Sequence, residues 1–377
     1  MAMTFRENAM AILQYQPYEK MPVVSFGFWG ETVDKWAKEG HITQEEADSY
    51  KKGGDNSLGD RQIMDKLGFD FNWGSCVGMN VLLDPPFETE VLEELADGGK
   101  IIRDSQGLIC MIKPGVVSIP AEIGTSLVDR EAWETLYLPK FKMSADRVPV
   151  EKIKNLPKPE ERQIPIGLSV GSLIGNMRNM LGVENLSYLY VDDEELYEEI
   201  VDTMCGICYE CTKIALETGT KFDYAHYWED ICFKNGPLVT PSVFDELIGP
   251  WYKKMTDLLY SYGVEIVSVD CDGMIDSLIP TWLENGVNTM FPIEVGTWNA
   301  SIAPWREKYG RQIRGVGGMN KTVFAKDKAA IDAEVERLKE LIKLGGFIPC
   351  PDHRIAPDAK FELVQYYCKK MHELNLG

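Results

Sequence analysis

Val264-Glu265-Ile266-Val267-Ser268-Val269-Asp270-Cys271-Asp272-Gly273 is an apolar run that closes on two acids and a glycine. Its β-branched residues predict a buried strand over 264–269, and a helix pattern follows over 275–283. A second segment near the C-terminus has the same plan. There, residues 347–349 predict a strand, Cys350-Pro351-Asp352-His353 follows it, and 361–374 reads as a helix. Hard acids and an imidazole at the ends of separate strands are what a metal or acid/base site in an α/β barrel requires.

Outward from these segments, strand and helix alternate from residue 164 onward. Strands are expected at 164–170, 222–228, 287–295 and 313–316. Helices are expected at 173–181, 193–218 and 300–308, and from Thr240-Pro241 to 262 with a kink at Gly249-Pro250. Ile331, Val335, Leu338 and Ile342 mark the apolar face of another helix, closed by Gly345-Gly346. So many units imply an α/β fold with a parallel sheet, closed as a (β/α)8 TIM barrel. The beginning of the chain is less regular: 22–28 predicts the opening strand, and 88–112 a β-meander with turns at Asp97-Gly98 and Ser105-Gly107. The expectation is a single barrel domain over 1–377. Within it, residues 1–160 form an irregular N-terminal extension carrying the meander as a lid or wall, and 161–377 holds the regular units.

The chain has 377 residues, 45% hydrophobic and 26% charged, which fits a globular protein with a large core. A formal net charge of -20 argues against nucleic acid, whose phosphates it would repel. No apolar run approaches the roughly 20 residues that span a bilayer, so no membrane role is expected. Residues 1–14 lack a signal-peptide core. Nine cysteines, an odd number, fit reduced thiols and a cytoplasmic location. Self-association stays open.

Asp270 and Asp272 are two apart, so on an extended segment both face one side, and Gly273 lets the chain turn directly after them. They either bind a cation or substrate at the catalytic face or cap the following helix. His353, one of four histidines, is read as a metal ligand oriented by a carboxylate or as a hydrogen-bonded loop residue. Cys350 is an alternative thiolate ligand, since zinc accepts sulfur. In Tyr224-Ala225-His226-Tyr227-Trp228-Glu229-Asp230, Glu229 is expected to complete an oxygen-rich ligand set, with the rings walling an aromatic substrate. The alternative is aromatic packing with Asp230 as a cap. Glu294 is a further candidate. Cys205, Cys208 and Cys211 lie in one long helix, where steps of three do not converge on a cluster, and are read as structural. Gly315-Val316-Gly317-Gly318-Met319-Asn320-Lys321 lacks the spacing of a phosphate-binding loop and is read as a tight turn or a weak anion site with Lys321 as its charge.

Taken in order, Trp228-Glu229-Asp230 with Lys234-Asn235-Gly236-Pro237, Asp270 to Gly273, Glu284-Asn285-Gly286-Val287-Asn288, Gly317-Gly318-Met319-Asn320-Lys321, and Gly345-Gly346 through Asp352-His353 to Pro357-Asp358 resemble the uroporphyrinogen decarboxylase-like superfamily. The resemblance covers about the last 210 residues well and roughly the first 160 loosely, and it implies a (β/α)8 barrel. The true decarboxylases carry an Arg-rich segment near the start, whereas 22–30 here has no arginine. The chain looks more like the branch of zinc-dependent methyltransferases that work with corrinoid proteins. That branch places a His-x-Cys pair after one strand and a Cys after the last; Asp270-x-Asp272 and His353 fall at comparable places with harder ligands. Harder ligands leave the metal a stronger Lewis acid toward an ether oxygen.

The resemblance therefore implies a methyl donor:corrinoid protein methyltransferase that demethylates a methoxylated aromatic compound, an O-demethylase. Zinc would be held by Glu229, Asp270, Asp272 and His353, with His353 and Asp272 as catalytic residues. Cob(I)alamin on a partner corrinoid protein would take the methyl group. Phe28, Trp29, His226 and Tyr227 would line the substrate. The alternatives are a metal-free decarboxylase and a non-catalytic barrel that binds a corrinoid or small molecule.

Overall fold

The computed structural model describes residues 2–113 and 120–374. In chain order its strands are β1 (Val24–Ser25), β2 (Phe71–Asn72), β3 (Cys76–Val77), β4 (Glu90–Glu94), β5 (Lys100–Arg103), β6 (Leu108–Ile112), β7 (Ala121–Thr125) and β8 (Gly167–Gly171). They continue with β9 (Tyr224–Trp228), β10 (Cys232–Phe233), β11 (Gly236–Pro237), β12 (Val267–Asp270), β13 (Thr289–Phe291), β14 (Arg314–Met319) and β15 (Phe347–Pro351).

Seven strands form one parallel sheet in the order β15-β14-β13-β12-β9-β8-β3. The remaining barrel position is filled by β1, which pairs with β2 through Val24↔Phe71 and Ser25↔Asn72. The run from β2 into β3 thus serves β1 at its start and β8 at its end. Closure comes from the other side of β1, where the Ile355 N–H donates to the Gly27 carbonyl at 3.0 Å and the Trp29 N–H to the Ile355 carbonyl at 3.2 Å. The result is a closed (β/α)8 barrel, as expected. Parallel strands buried on both faces read as apolar runs, and β12, β13 and β15 are buried throughout.

The long helix Glu194–Glu217 matches its apolar pattern and buries Cys205, Cys208 and Cys211 in the core, as their structural reading requires. The helix expected at 173–181 runs further, from Gly175 to Asp192, with a break in helical geometry at Gly182. The helix expected from 240 is irregular before Pro250, with a π-type turn over Phe244–Ile248. The strand expected over 287–295 is confined to Thr289–Phe291, and Glu294 caps a short helix, Val295–Trp298.

The N-terminal region is more ordered than its composition suggests. Helices Phe5–Leu13, Gly30–Lys38, Gln44–Gly53 and Leu58–Leu67 occupy it, the last three between β1 and β2. Two of them begin with capping boxes, Thr4 with Glu7 and Thr43 with Glu46. The meander has four strands, antiparallel in the order β4-β5-β6-β7. It docks on the helix that leaves β8: the Thr125 hydroxyl donates to the Met180 carbonyl, and the Glu122 carboxylate accepts the Val183 N–H at 3.0 Å.

Candidate functional site

Strand alternation decides what reaches the barrel mouth. On β9, His226 pairs across with Ser268 and Trp228 with Asp270, so these four face alike. At the end of β12, Asp270 is buried, and the chain turns at Gly273 with φ +87°. A Cβ there would lie 2.6 Å from the Cys232 carbonyl oxygen, so the turn needs glycine. The turn also leaves Asp272 beside the mouth.

Three carboxylates meet at this point. Ligand oxygens of Asp230, Asp270 and Asp272 all lie within 4.8 Å of one another, and among the described residues no other trio of His, Cys, Asp or Glu is so placed. Asp230 gets there through a backbone at φ +46°, a region that non-glycine residues occupy at a cost. Its Oδ1 accepts the Asp272 N–H at 3.0 Å. Burial, then the charge of Asp272, pushes its carboxyl up to about 7. Asp270 is raised as well, by burial first and then by Asp230 and Asp272.

His353 joins the trio through Asp272, with Nε2 to Oδ2 at 3.1 Å. Its ring stacks on Trp29 at 5.4 Å and meets the edge of Phe26 at 5.5 Å. Phe26 in turn packs on Phe291 at 4.4 Å. Asp272 Oδ1 and His353 Nδ1 are buried without hydrogen-bond partners. Three mutually repelling carboxylates, an adjacent imidazole and an unpartnered carboxylate oxygen fit a divalent cation that takes oxygen and nitrogen ligands.

Three sequence expectations, for Glu229, Phe28 and Tyr227, are corrected here. Glu229 does not lie with the three acids. It points away from the mouth and is fully buried, its carboxylate accepting from the backbone N–H groups of Leu173, Ile174 and Gly175 and the hydroxyls of Ser172 and Tyr252. Its task is to bind the start of helix Gly175–Asp192; Asp230, one residue on, takes the place expected for it. Phe28 is core, packed between Trp36 and Tyr50, and Phe26 is the ring that reaches His353. Tyr227 faces outward against Tyr252. His226 lies beneath the acids inside the barrel, where burial pulls its imidazole down to about 4. Trp29, about a third exposed, lies against the His353 ring.

The surrounding loops are held by other acids. Glu294 accepts the Gly273 N–H and the Thr297 hydroxyl, and its carboxyl is raised by burial and by Asp272. Asp352 accepts the N–H groups of Gly296 at 2.7 Å and Lys321 at 3.0 Å. Burial lowers the Lys321 ammonium, opposed by Asp352, Asp272 and Glu294. Arg354 forks onto Asp55 at 2.9 and 2.6 Å and ties the β15 loop to the N-terminal helices. Arg178 donates to the Asp230 carbonyl and lies over Trp228 at 5.5 Å. Cys271 and Cys350 are buried, and burial raises both thiols.

Comparison with known proteins agrees with this architecture. The family model described as Uroporphyrinogen decarboxylase (URO-D) matches residues 118–374, and the chain belongs to that family. Among solved structures, a methyltransferase from Methanosarcina mazei superposes with a TM-score of 0.59 at 16% identity, covering 98% of each chain. A B12-independent methionine synthase from Shewanella sp. W3-18-1 follows at a TM-score of 0.48 and 10% identity, covering 93% of this chain and 98% of that one. At 16% identity the likeness to the Methanosarcina mazei protein is one of fold. A search of curated proteins returned no match.

Proposed function

We propose that this chain is a metal-dependent methyltransferase that moves the methyl group of a methoxylated aromatic compound to cob(I)alamin on a partner corrinoid protein. The observation that carries the reading is the acid trio of Asp230, Asp270 and Asp272 with His353, set at the mouth of the barrel beside Trp29, Phe26 and Phe291. A zinc ion held by these residues would supply positive charge to the ether oxygen and so make the phenolate a better leaving group.

The chain's own residues do the rest. Asp230 and Asp270 hold ionisable oxygens in a water-poor pocket, where a cation is bound strongly. Asp272 joins that set and fixes His353 through Nε2. The His353 imidazole, flat against Trp29, presents a polar edge within an otherwise aromatic wall. That wall suits a planar ring and directs its methoxy group toward the acids. In the transfer the carbon–oxygen bond would break with its electron pair left on oxygen, and the partner's corrinoid would supply the nucleophile that accepts the methyl group.

Family membership favours one other reading, decarboxylation without a metal. It is disfavoured by the segment 22–30, which has no arginine to hold a multiply charged substrate, and by Arg354, which is already paired with Asp55. The test is metal content of the purified protein and of the Asp272→Ala and His353→Ala variants, alongside methyl transfer from methoxylated aromatics to cob(I)alamin. Near-stoichiometric zinc in the parent, lost with activity in both variants, supports the proposal. Metal and transfer both intact in His353→Ala refute the ligand assignment, and absence of methyl transfer together with a decarboxylation that persists in chelator favours the decarboxylase.

A further inference from the structure

Beneath the acids runs a line of three polar groups that the proposed reaction does not use. Trp73 Nε1 lies 3.3 Å from Ser268 Oγ, Ser268 Oγ lies 3.2 Å from His226 Nδ1, and His226 Nε2 lies 3.9 Å from Asp270 Oδ2. All four residues are buried: Trp73 and Ser268 are 0% exposed, His226 and Asp270 8%. Each ring is fixed by its neighbours. Trp73 stacks on Tyr224 at 4.3 Å, and the Tyr224 hydroxyl donates to the Trp73 carbonyl. The His226 ring sits edge-on to Phe291 at 5.7 Å and to Tyr224 at 6.4 Å.

The direction of this line follows from donor inventory. An indole nitrogen only donates, so Ser268 Oγ accepts from Trp73. Ser268 has one proton of its own, and the ring nitrogen of His226 is the acceptor within reach. Were Nδ1 to carry the imidazole proton instead, the Ser268 hydroxyl hydrogen would be left buried without an acceptor, which disfavours that tautomer. The bare Nε2 lone pair would then also face the Asp270 carboxylate. Both arguments place the imidazole proton on Nε2.

We infer that His226 is a positioning residue for the metal site: its Nε2–H, fixed by the Trp73–Ser268 line, turns its positive edge toward one oxygen of Asp270 across 3.9 Å, longer than a hydrogen bond, and leaves the other oxygen for the cation. This rests on the reading of the acid trio as a metal site. It is the arrangement in which a polar group behind a ligand fixes that ligand's rotamer, and its loss typically weakens binding by about ten- to a hundredfold.

The experiment uses the full chain, with zinc(II) and cobalt(II) as probes and a chromophoric chelator as competitor. His226→Phe keeps a ring of similar shape and removes the donor; zinc affinity is expected to fall about ten- to a hundredfold, with a changed cobalt(II) absorption spectrum. His226→Gln, whose amide can donate from a comparable position, recovers most of the loss. Ser268→Ala weakens binding and Ser268→Thr, which retains the hydroxyl, does not; these variants guard against a folding defect at position 226. The imidazole nitrogen–proton NMR spectrum of the metal-free parent is expected to show the Nε2–H tautomer. Unchanged affinity and spectrum in His226→Phe, or an Nδ1–H tautomer in the parent, overturns the positioning role and leaves the metal site standing. A parent that takes up neither probe overturns the metal site itself, and the positioning role with it.

Discussion

If the acid trio is built for a cation, the metal-free protein should be more stable without one of its charges. Asp230→Asn is the cleanest perturbation. The amide keeps an oxygen to accept the Asp272 N–H that Asp230 now accepts at 3.0 Å, and it removes the ionisation that the site opposes. Burial and the charge of Asp272 raise the Asp230 carboxyl from 3.8 to about 7. At roughly 1.4 kcal/mol for each tenfold change in proton affinity, ionised Asp230 costs the folded state at most about 4 kcal/mol. Spread over an unfolding entropy of about 0.8 kcal/mol/K for a chain of this size, that is a gain in Tm of up to about 5 °C. Relaxation around the site brings the expected gain to about 2–5 °C.

The sign fixes the pH dependence. A carboxyl raised in the folded state contributes its stability below the unfolded value of 3.8 and loses it as pH rises through about 7. The advantage of Asp230→Asn is therefore absent near pH 4, grows toward pH 7 and levels off above it. Thermal unfolding in chelator across that range measures it. Zinc should cut into that advantage, since a hundredfold excess over Kd adds about 2.7 kcal/mol, or about 3 °C, to the parent and far less to the variant. A variant less stable than the parent in chelator at neutral pH, or a difference that does not change with pH, refutes the view that the three acids oppose one another for want of a cation.

Other expectations separate site from scaffold. Trp29→Ala removes a partly exposed ring that stacks on His353; substrate binding should weaken about threefold to tenfold, from about 0.5–1.5 kcal/mol of aromatic contact, with metal content unchanged in elemental analysis. Glu229→Gln turns an amide toward backbone donors in a fully buried pocket. Urea unfolding should show a loss of about 2–5 kcal/mol, while the folded fraction keeps the parent's metal stoichiometry. Gly175→Ala would place a Cβ 1.9 Å from the Glu229 carbonyl oxygen, so it should yield little folded protein, as read by the cooperativity of its thermal melt.

Much of the barrel was legible because parallel strands covered on both faces are written as apolar runs, and the units from 164 onward follow that rule. The N-terminal helices were not, because Gln44–Gly53 and Gly30–Lys38 are largely polar and bury only a few side chains each. Their legible signal was at the ends: Thr4 with Glu7 and Thr43 with Glu46 spell out capping boxes before any apolar stripe is apparent. The fourth meander strand, Ala121–Thr125, is mostly exposed and carries a glycine, so it shows little alternation.

The mistaken ligand has a more exact cause. Alternation along β12 brings Asp270 and Asp272 together, and the same count along β9 excludes Glu229. Because Trp228 pairs with Asp270, the residues facing the mouth on β9 are Tyr224, His226 and Trp228, and continuing by twos reaches Asp230 rather than Glu229. The same count sends Tyr227 into the helix layer, where Tyr252 meets it. What alternation alone does not supply is the last step, since the strand ends at Trp228 and an ordinary extended backbone would carry residue 230 away. The backbone at φ +46° turns the Asp230 carboxylate back onto the Asp272 N–H. Such a conformation costs a non-glycine residue of order 1–3 kcal/mol and persists only where its surroundings hold it. Here the Arg178 contact to the Asp230 carbonyl and the Asp272 N–H contact to its side chain hold it from both sides. A strained residue that also adds a third negative charge beside Asp270 and Asp272 works against folding twice over, which is the combination expected where residues are arranged for a ligand rather than for stability.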